Sequence, residues 1–147
     1  YIVAIMTDML QLTPESTVLE IGTGCGYQTA ILSQLAKHVH SVEIVEDLVK
    51  TASARLKRLG YRNIHIIHGD GQQGWAPGAP YDAIIATAAA RKTPTKLLDQ
   101  LKPGGRMVLP LGAPGMTQSL VWLDKDEDGH WREHCHLPVA FVPMTSL

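Results

Sequence analysis

Long apolar runs are missing from this 147-residue chain, in which no stretch approaches the roughly 20 residues that a membrane-spanning helix needs. No basic-then-apolar leader stands before the first helical pattern either. A surplus of charge is also absent. Thirteen Lys and Arg stand against 14 Asp and Glu, for a formal net charge of −1, which makes no electrostatic case for nucleic acid or an anionic membrane surface as partner. Cysteine is scarce. Cys25 and Cys135 lie far apart and form neither a metal-type nor a redox pair, so a reducing cytoplasm is the expected setting. No internal repeat or low-complexity tract appears.

What remains is ordinary globular composition, 45% hydrophobic and 18% charged, in a length that suits one domain. The chain opens at Tyr1, without methionine and directly in helical pattern. We therefore expect one domain over residues 1–147, shortened at its N-terminus and slightly at its C-terminus, and we expect it to act as a monomer.

The rest of the chain is organised around Val18 to Tyr27, Val-Leu-Glu-Ile-Gly-Thr-Gly-Cys-Gly-Tyr. A short apolar run with β-branched residues suits a strand buried in a parallel sheet. Three glycines at alternate positions follow, Gly22, Gly24 and Gly26, and then a helical pattern through Ala30, Ile31, Leu35 and Ala36. Strand, glycine turn and helix form the first corner of a nucleotide-binding βαβ unit, where the missing Cβ lets a ligand approach the backbone. A dinucleotide fingerprint would need glycine where Tyr27 stands, and a P-loop would need Gly-Lys-Ser/Thr. The acidic Glu20 on the strand is a poor neighbour for a pyrophosphate and a good one for a cation. That combination points to a ligand with an ammonium or sulfonium group, such as S-adenosylmethionine. A tight turn that binds nothing would show the same glycines.

Elsewhere the pattern alternates helix and strand. Residues 1–12 read as an amphipathic helix ended by Thr13-Pro14, and His40 to Val45 as a second strand. Glu43 is placed where a strand-end carboxylate accepts both hydroxyls of a ribose, the alternative being a solvated strand end. Leu48 to Leu59 reads as a helix closed by Gly60, and Asn63 to His68 as a third strand running into Gly69-Asp70-Gly71. There Asp70 could accept from the exocyclic amine of a base or merely form a turn. An irregular Gly- and Pro-rich loop spans 71–80. Tyr81 to Thr87 is a fourth strand, and the small residues Ala88 to Ala90 after it leave room above the sheet edge; Thr87, Ala88 and Ala89 are the candidate substrate contacts. A helix over 93–101, a Lys-Pro-Gly-Gly turn and a strand over 106–111 follow. From Thr117 alternation takes over, and 119–123 with 130–137 read as an antiparallel hairpin, with a last extended segment over 140–145. The fold class is α/β, a Rossmann-like, doubly wound and mostly parallel sheet with an antiparallel C-terminal hairpin.

His130, His134 and His136 flank Cys135, but on a strand they share one face with Arg132 while Cys135 takes the other. The reading is a polar stripe, and no metal is expected. Cys25 in the glycine loop has no helper base nearby in sequence and reads as a small filler.

The ligand-type residues at four strand ends make the chain resemble the class I S-adenosylmethionine-dependent methyltransferases. The blocks 18–27, Gly69-Asp-Gly71, 79–85, Leu98-Asp-Gln-Leu-Lys-Pro-Gly-Gly-Arg106 and Phe141-Val-Pro-Met-Thr145 stand in the order and spacing of the protein-L-isoaspartate O-methyltransferase family. The resemblance covers Tyr1 to Leu147. It implies methyl transfer to the free α-carboxylate of an L-isoaspartyl residue, with isoaspartyl-containing proteins and peptides as partners and S-adenosyl-L-homocysteine as the spent cofactor. The ester then collapses to a succinimide that reopens in part to aspartate. By position, Gly22 and Gly24 would line the methionine part, Glu43 and Ile44 the ribose and adenine, and Asp70 with Gly71 the adenine edge, with Thr23 a further cofactor contact and Thr145 closing over the cofactor.

Such chemistry asks for alignment rather than a base or covalent nucleophile, since a carboxylate attacks and a sulfonium leaves readily. Two departures stand out. The family's hydroxyl-bearing segment precedes the position of Tyr1, and Arg91 stands where the family usually has proline. The competing readings are a methyltransferase of the same fold acting on a small molecule and a cofactor-binding module without catalysis.

Overall fold

The structure, a computed structural model, describes residues 1–147. Its elements run α1 (Ile2–Met9), β1 (Thr17–Ile21), α2 (Tyr27–Leu35), β2 (His38–Glu43), α3 (Glu46–Arg58), β3 (Ile64–His68), β4 (Tyr81–Ala86), α4 (Thr95–Asp99), β5 (Leu101–Leu111), β6 (Gln118–Lys125) and β7 (Trp131–Val139). Seven strands form one sheet in the order β3-β2-β1-β4-β5-β6-β7. The first five are parallel, and β6 and β7 add an antiparallel ribbon beyond β5. The expected fold class is therefore the one observed, with the C-terminal hairpin in place. No helix is long and apolar enough to cross a membrane.

Strand alternation divides the core between the two faces of the sheet. Leu19, Ile21, Ile84 and Met107 belong to a cluster closed by Leu97 and Leu98 of α4. Val18, Ile85 and Val108 face the other way, against Met6 of α1 and Leu32 of α2. Glu20 takes the side of Val18 and so lies beneath α2.

Several boundaries differ from the sequence reading, each for a physical reason. Helix α1 stops at Met9 because Gln11 takes a left-handed φ of 52°, which a right-handed helix cannot contain. Strand β2 starts at His38 and ends at Glu43, because its register pairs Thr17 with His38 and Ile21 with Val42. Val45 becomes the N-cap of α3, whose first turn carries Glu46 and Asp47 against the positive end of the helix dipole. Helix α4 is shorter than expected, since Pro94 precedes it and Leu101 is drawn into the sheet opposite Tyr81. The register then jumps to Ala83 opposite Arg106, so 102–105 loop out as a bulge inside β5. The ribbon has its own irregularity. Leu120 pairs with Leu137 but Val121 with Cys135, leaving His136 as the extra residue. Beyond it Leu137 and Val139 pack toward the core, while His134 stacks on Trp122 at 3.8 Å between centroids. The polar stripe is therefore broken at His136. The last segment, 140–145, is not a strand and makes a single bridge, Pro143 to Ala89.

Ile84 is fully buried at the centre of the sheet. Ile84→Ala should lower unfolding stability by about 2–5 kcal/mol, read as a shift in the urea midpoint at unchanged slope.

Candidate functional site

In this strand order the chain leaves β1 toward β2 on one side and returns as β4 on the other. Open α/β sheets hold ligands at such a switch point, outside the carboxyl ends of the strands. A cavity of about 420 Å³ lies there, lined by Ile21 at the end of β1 and Gly22 and Gly24 after it, Val42, Glu43 and Ile44 at β2, and Thr87 and Ala88 after β4. Gly71, after β3, and the segment Val142–Thr145 complete it.

The glycines are required by contact and by conformation. Gly22 has a φ of 96°, and a Cβ there would come within 2.7 Å of the Thr87 hydroxyl. That hydroxyl donates to the carbonyls of Gly22 (3.1 Å) and Ile21 (3.3 Å), tying the end of β4 to the glycine turn. A Cβ on Gly71 would overlap the Ile21 side chain. Both positions hold the cavity open because they carry only hydrogen.

Glu43 is 6% exposed and faces this space. Its Oε1 accepts from the Gly24 amide at 2.9 Å and its Oε2 from the Val45 amide at 3.0 Å. A carboxylate has about four lone-pair directions, so each oxygen keeps capacity for a further donor. Ile44, Val45 and Leu48 supply an apolar wall beside it.

Other expected residues sit differently. Glu20 is fully buried and does not line the cavity. Its Oε1 accepts from Thr29 of α2 and from Ser41 of β2, and Ser41 is also bonded to Thr23 at 2.6 Å. Thr23 is thus buried beneath the turn, and Glu20 braces the turn from below. Burial pushes the Glu20 carboxyl up to about 7, with the two hydrogen bonds opposing and the Glu43 charge adding. Asp70 caps the turn after β3, accepting from the Gln72 amide at 2.9 Å. Ala89 lies one step beyond the cavity. Its amide donates to the Val142 carbonyl and its carbonyl accepts from the Met144 amide, both at 2.8 Å. Thr145 lines both the cavity and the groove beside it.

Sequence reasoning named Ile44 of the apolar wall and Thr23 of the buried hydroxyls, but missed Val45 and Leu48 of the first and Thr29 and Ser41 of the second. The signals were Ile44-Val45 directly after an acidic strand end, and Ser41, a polar residue in register with Glu20. Cys25 and Cys135 are exposed, free thiols. At the hairpin tip Asp126, Asp128 and His130 gather within 4.8 Å, but all are exposed, and Asp126 Oδ1 accepts from the amides of Asp128 and His130 as an ordinary turn. A polar depression of about 470 Å³ at the opposite strand ends is stitched by Asp82, which accepts from Thr17 N at 2.8 Å and pairs with Lys102 at 3.2 Å.

Comparison with known proteins fits this geometry. The family model described as protein-L-isoaspartate(D-aspartate) O-methyltransferase matches residues 1–147. The chain is 57% identical over 145 residues to protein-L-isoaspartate O-methyltransferase 2 of Syntrophobacter fumaroxidans, covering 99% of this chain and 59% of that protein. Against protein-L-isoaspartate O-methyltransferase 1 of Cupriavidus necator the identity is 54%, over 98% of this chain and 56% of the relative. The chain thus spans just under three fifths of the length of these two relatives. A solved protein-L-isoaspartate O-methyltransferase superposes with a TM-score of 0.91 at 28% identity, over 99% of this chain and 47% of the other. A Plasmodium falciparum structure, described as a complex with S-adenosyl-L-homocysteine, shares the fold with a TM-score of 0.77 at 24% identity, over 99% of this chain and 72% of the other.

The buried Glu20 carboxyl gives a pH signature. Its folded value, about 7, lies above the ordinary 4.5, so the folded state holds a proton that the unfolded state has released between those pH values. Stability should therefore fall as pH rises from 4.5 to 7, by up to about 3 kcal/mol from this group. Burial lowers His40, with His65 and His38 adding, and this acts in the opposite sense. Comparing urea midpoints of the parent and Glu20→Gln across pH 4.5–7.5 isolates the carboxyl, and the variant should show the flatter alkaline side.

Proposed function

Because the chain belongs to the protein-L-isoaspartate(D-aspartate) O-methyltransferase family, we propose that it carries the cofactor site of a protein-repair methyltransferase. The reaction is methyl transfer from S-adenosylmethionine to the free carboxylate of L-isoaspartyl residues in damaged proteins. The observation that carries this reading is the Glu43 carboxylate facing a cavity that two contact-limited glycines keep open, in a chain that matches the family throughout.

The residues present fit the cofactor. Some 420 Å³ suits a ligand of that size, and the positive-φ turn at Gly22 and Gly24 gives close approach to backbone. Glu43 retains acceptor capacity for a pair of ribose hydroxyls, and Ile44, Val45 and Leu48 offer an apolar slot for a base. Gly22 and Gly24 would flank the methionine part and Gly71, with Asp70, the adenine edge. Thr23 and Glu20 would act from below by holding the turn. Val142 to Thr145 would cover the bound molecule.

When bound, S-adenosylmethionine supplies a methyl on a sulfonium, which passes to a carboxylate oxygen of the acceptor while the sulfur takes back the bonding pair and becomes a neutral thioether. The acceptor carboxylate already holds the electron pair it needs, so no side chain has to remove a proton. The work of this chain is to align and to exclude water. Thr87 fixes the glycine turn relative to β4, and Ala88 leaves space where the acceptor must come close, with Ala89 one step beyond in the neighbouring groove.

The proposal is tested by incubating the complete protein with methyl-labelled S-adenosylmethionine and an isoaspartyl peptide, with the aspartyl peptide as control. Label should enter the isoaspartyl peptide alone, and label in neither would overturn the reading. In a separate titration, Glu43→Ala should weaken S-adenosylhomocysteine binding by about 1.5–3 kcal/mol for each charge-assisted bond lost, with the fold intact. Unchanged affinity would leave Glu43 only the structural task of accepting from the Gly24 and Val45 amides.

A further inference from the structure

Next to the cavity, beyond the wall formed by Pro143, Met144 and Thr145, runs a groove of about 680 Å³. Its cationic side chains are Arg91, Lys92 and Lys96, and no carboxylate lines it. In a chain of net charge −1 that is a local excess of one sign. All three cations are exposed. Lys96 Nζ donates to Gln73 Oε1 at 2.6 Å, which leaves two of its three N–H donors free. Arg91 and Lys92 are paired with no carboxylate. At this edge Glu133 of β7 accepts from Thr93 Oγ1 at 3.1 Å.

The backbone beneath the cations is fixed from both sides. Ala89 is bonded to Val142 and Met144, while the Ala90 amide donates to the Pro110 carbonyl at 3.0 Å and the Ala90 carbonyl accepts from Gly112 at 2.9 Å. Arg91 therefore leaves a clamped segment and Lys96 stands on α4, so both ends of the cationic ledge are held, with Lys92 between them. An acceptor that reaches the cavity over Ala88 and Ala89 has this ledge as its continuation.

Resting on the repair reading above, we propose that the groove receives the polypeptide flanking the acceptor residue. Through Arg91, Lys92 and Lys96 it selects segments carrying additional carboxylates. A peptide is favoured over a nucleic acid because no aromatic side chain lines the groove to stack on bases. Exposed pairs of this kind are individually weak and salt-screened, so the discrimination they confer is moderate and enters through encounter and KM rather than through the chemical step.

The test compares two isoaspartyl peptides that differ only in glutamate or glutamine at the flanking positions, assayed with the complete protein. At low salt kcat/KM should favour the glutamate peptide by about threefold to tenfold, carried by KM. In the same protein the ratio should fall toward one at 0.5 M salt, where the screening length is only a few ångströms. In Arg91→Glu/Lys92→Glu/Lys96→Glu it should drop below one. Methylation of both peptides with equal kcat/KM at low salt overturns this inference and leaves the repair reading standing. Methylation of neither overturns both. A preference for glutamate that survives charge reversal shows that other groups read the flank, and the assignment to these three residues is then wrong.

Discussion

The constraint on which the rest depends is that β1 is paired on both edges, with β2 on one side and β4 on the other, and covered on both faces. A strand so enclosed has spent its backbone bonds and its side chains on the sheet. Only its carboxyl end is free to meet a ligand, and the chain must leave that end abruptly to reach α2. Gly22, Gly24 and Gly26 make the exit, all at positive φ. The same enclosure turns Glu20 inward. A carboxylate under α2 is tolerable because Thr29 and Ser41 satisfy one of its oxygens, and Ser41 passes the connection on to Thr23 in the turn. The loop that faces the cavity thus rests on a buried polar network.

Much of this was legible in the sequence, and unevenly. The glycine spacing, the strand-end acids and the change from helical to alternating periodicity gave the order of elements and the end of the sheet where the cavity lies. Glu43 was visible because a single acidic residue closes a β-branched strand. Glu20 was visible as an acidic residue in an apolar run, but its direction was not deduced, although two-residue alternation with Val18 would have turned it toward α2. Its partners lie on different elements: the register of β1 on β2 sets Ser41 opposite it, and the packing of α2 over the sheet brings Thr29 down to it.

The boundaries that shifted did so where tertiary pairing overrode local pattern. Strand β2 moved toward its amino end to match β1, and Leu101 left its helix to pair with Tyr81. The His136 bulge undid a face assignment that assumed unbroken alternation. A bulge needs the partner strand to be seen, and a single strand's sequence does not contain it. The segment ending at Thr145 read as extended but its destination did not, because its two backbone bonds go to Ala89, far away in the chain.

Pro143, Met144 and Thr145 are at once the far wall of the cavity and the near wall of the groove, hung between two bonds to Ala89 and a clamp in which Gln118 accepts from the Phe141 amide at 2.6 Å and donates to its carbonyl at 3.1 Å. A partition shared by two compartments cannot be moved for one without being moved for the other. An occupant that shifted it from one side would change affinity on the other, and the two changes would be one and the same factor. A dissociation constant measured with one compartment vacant would then differ by that factor from one measured with the other compartment filled.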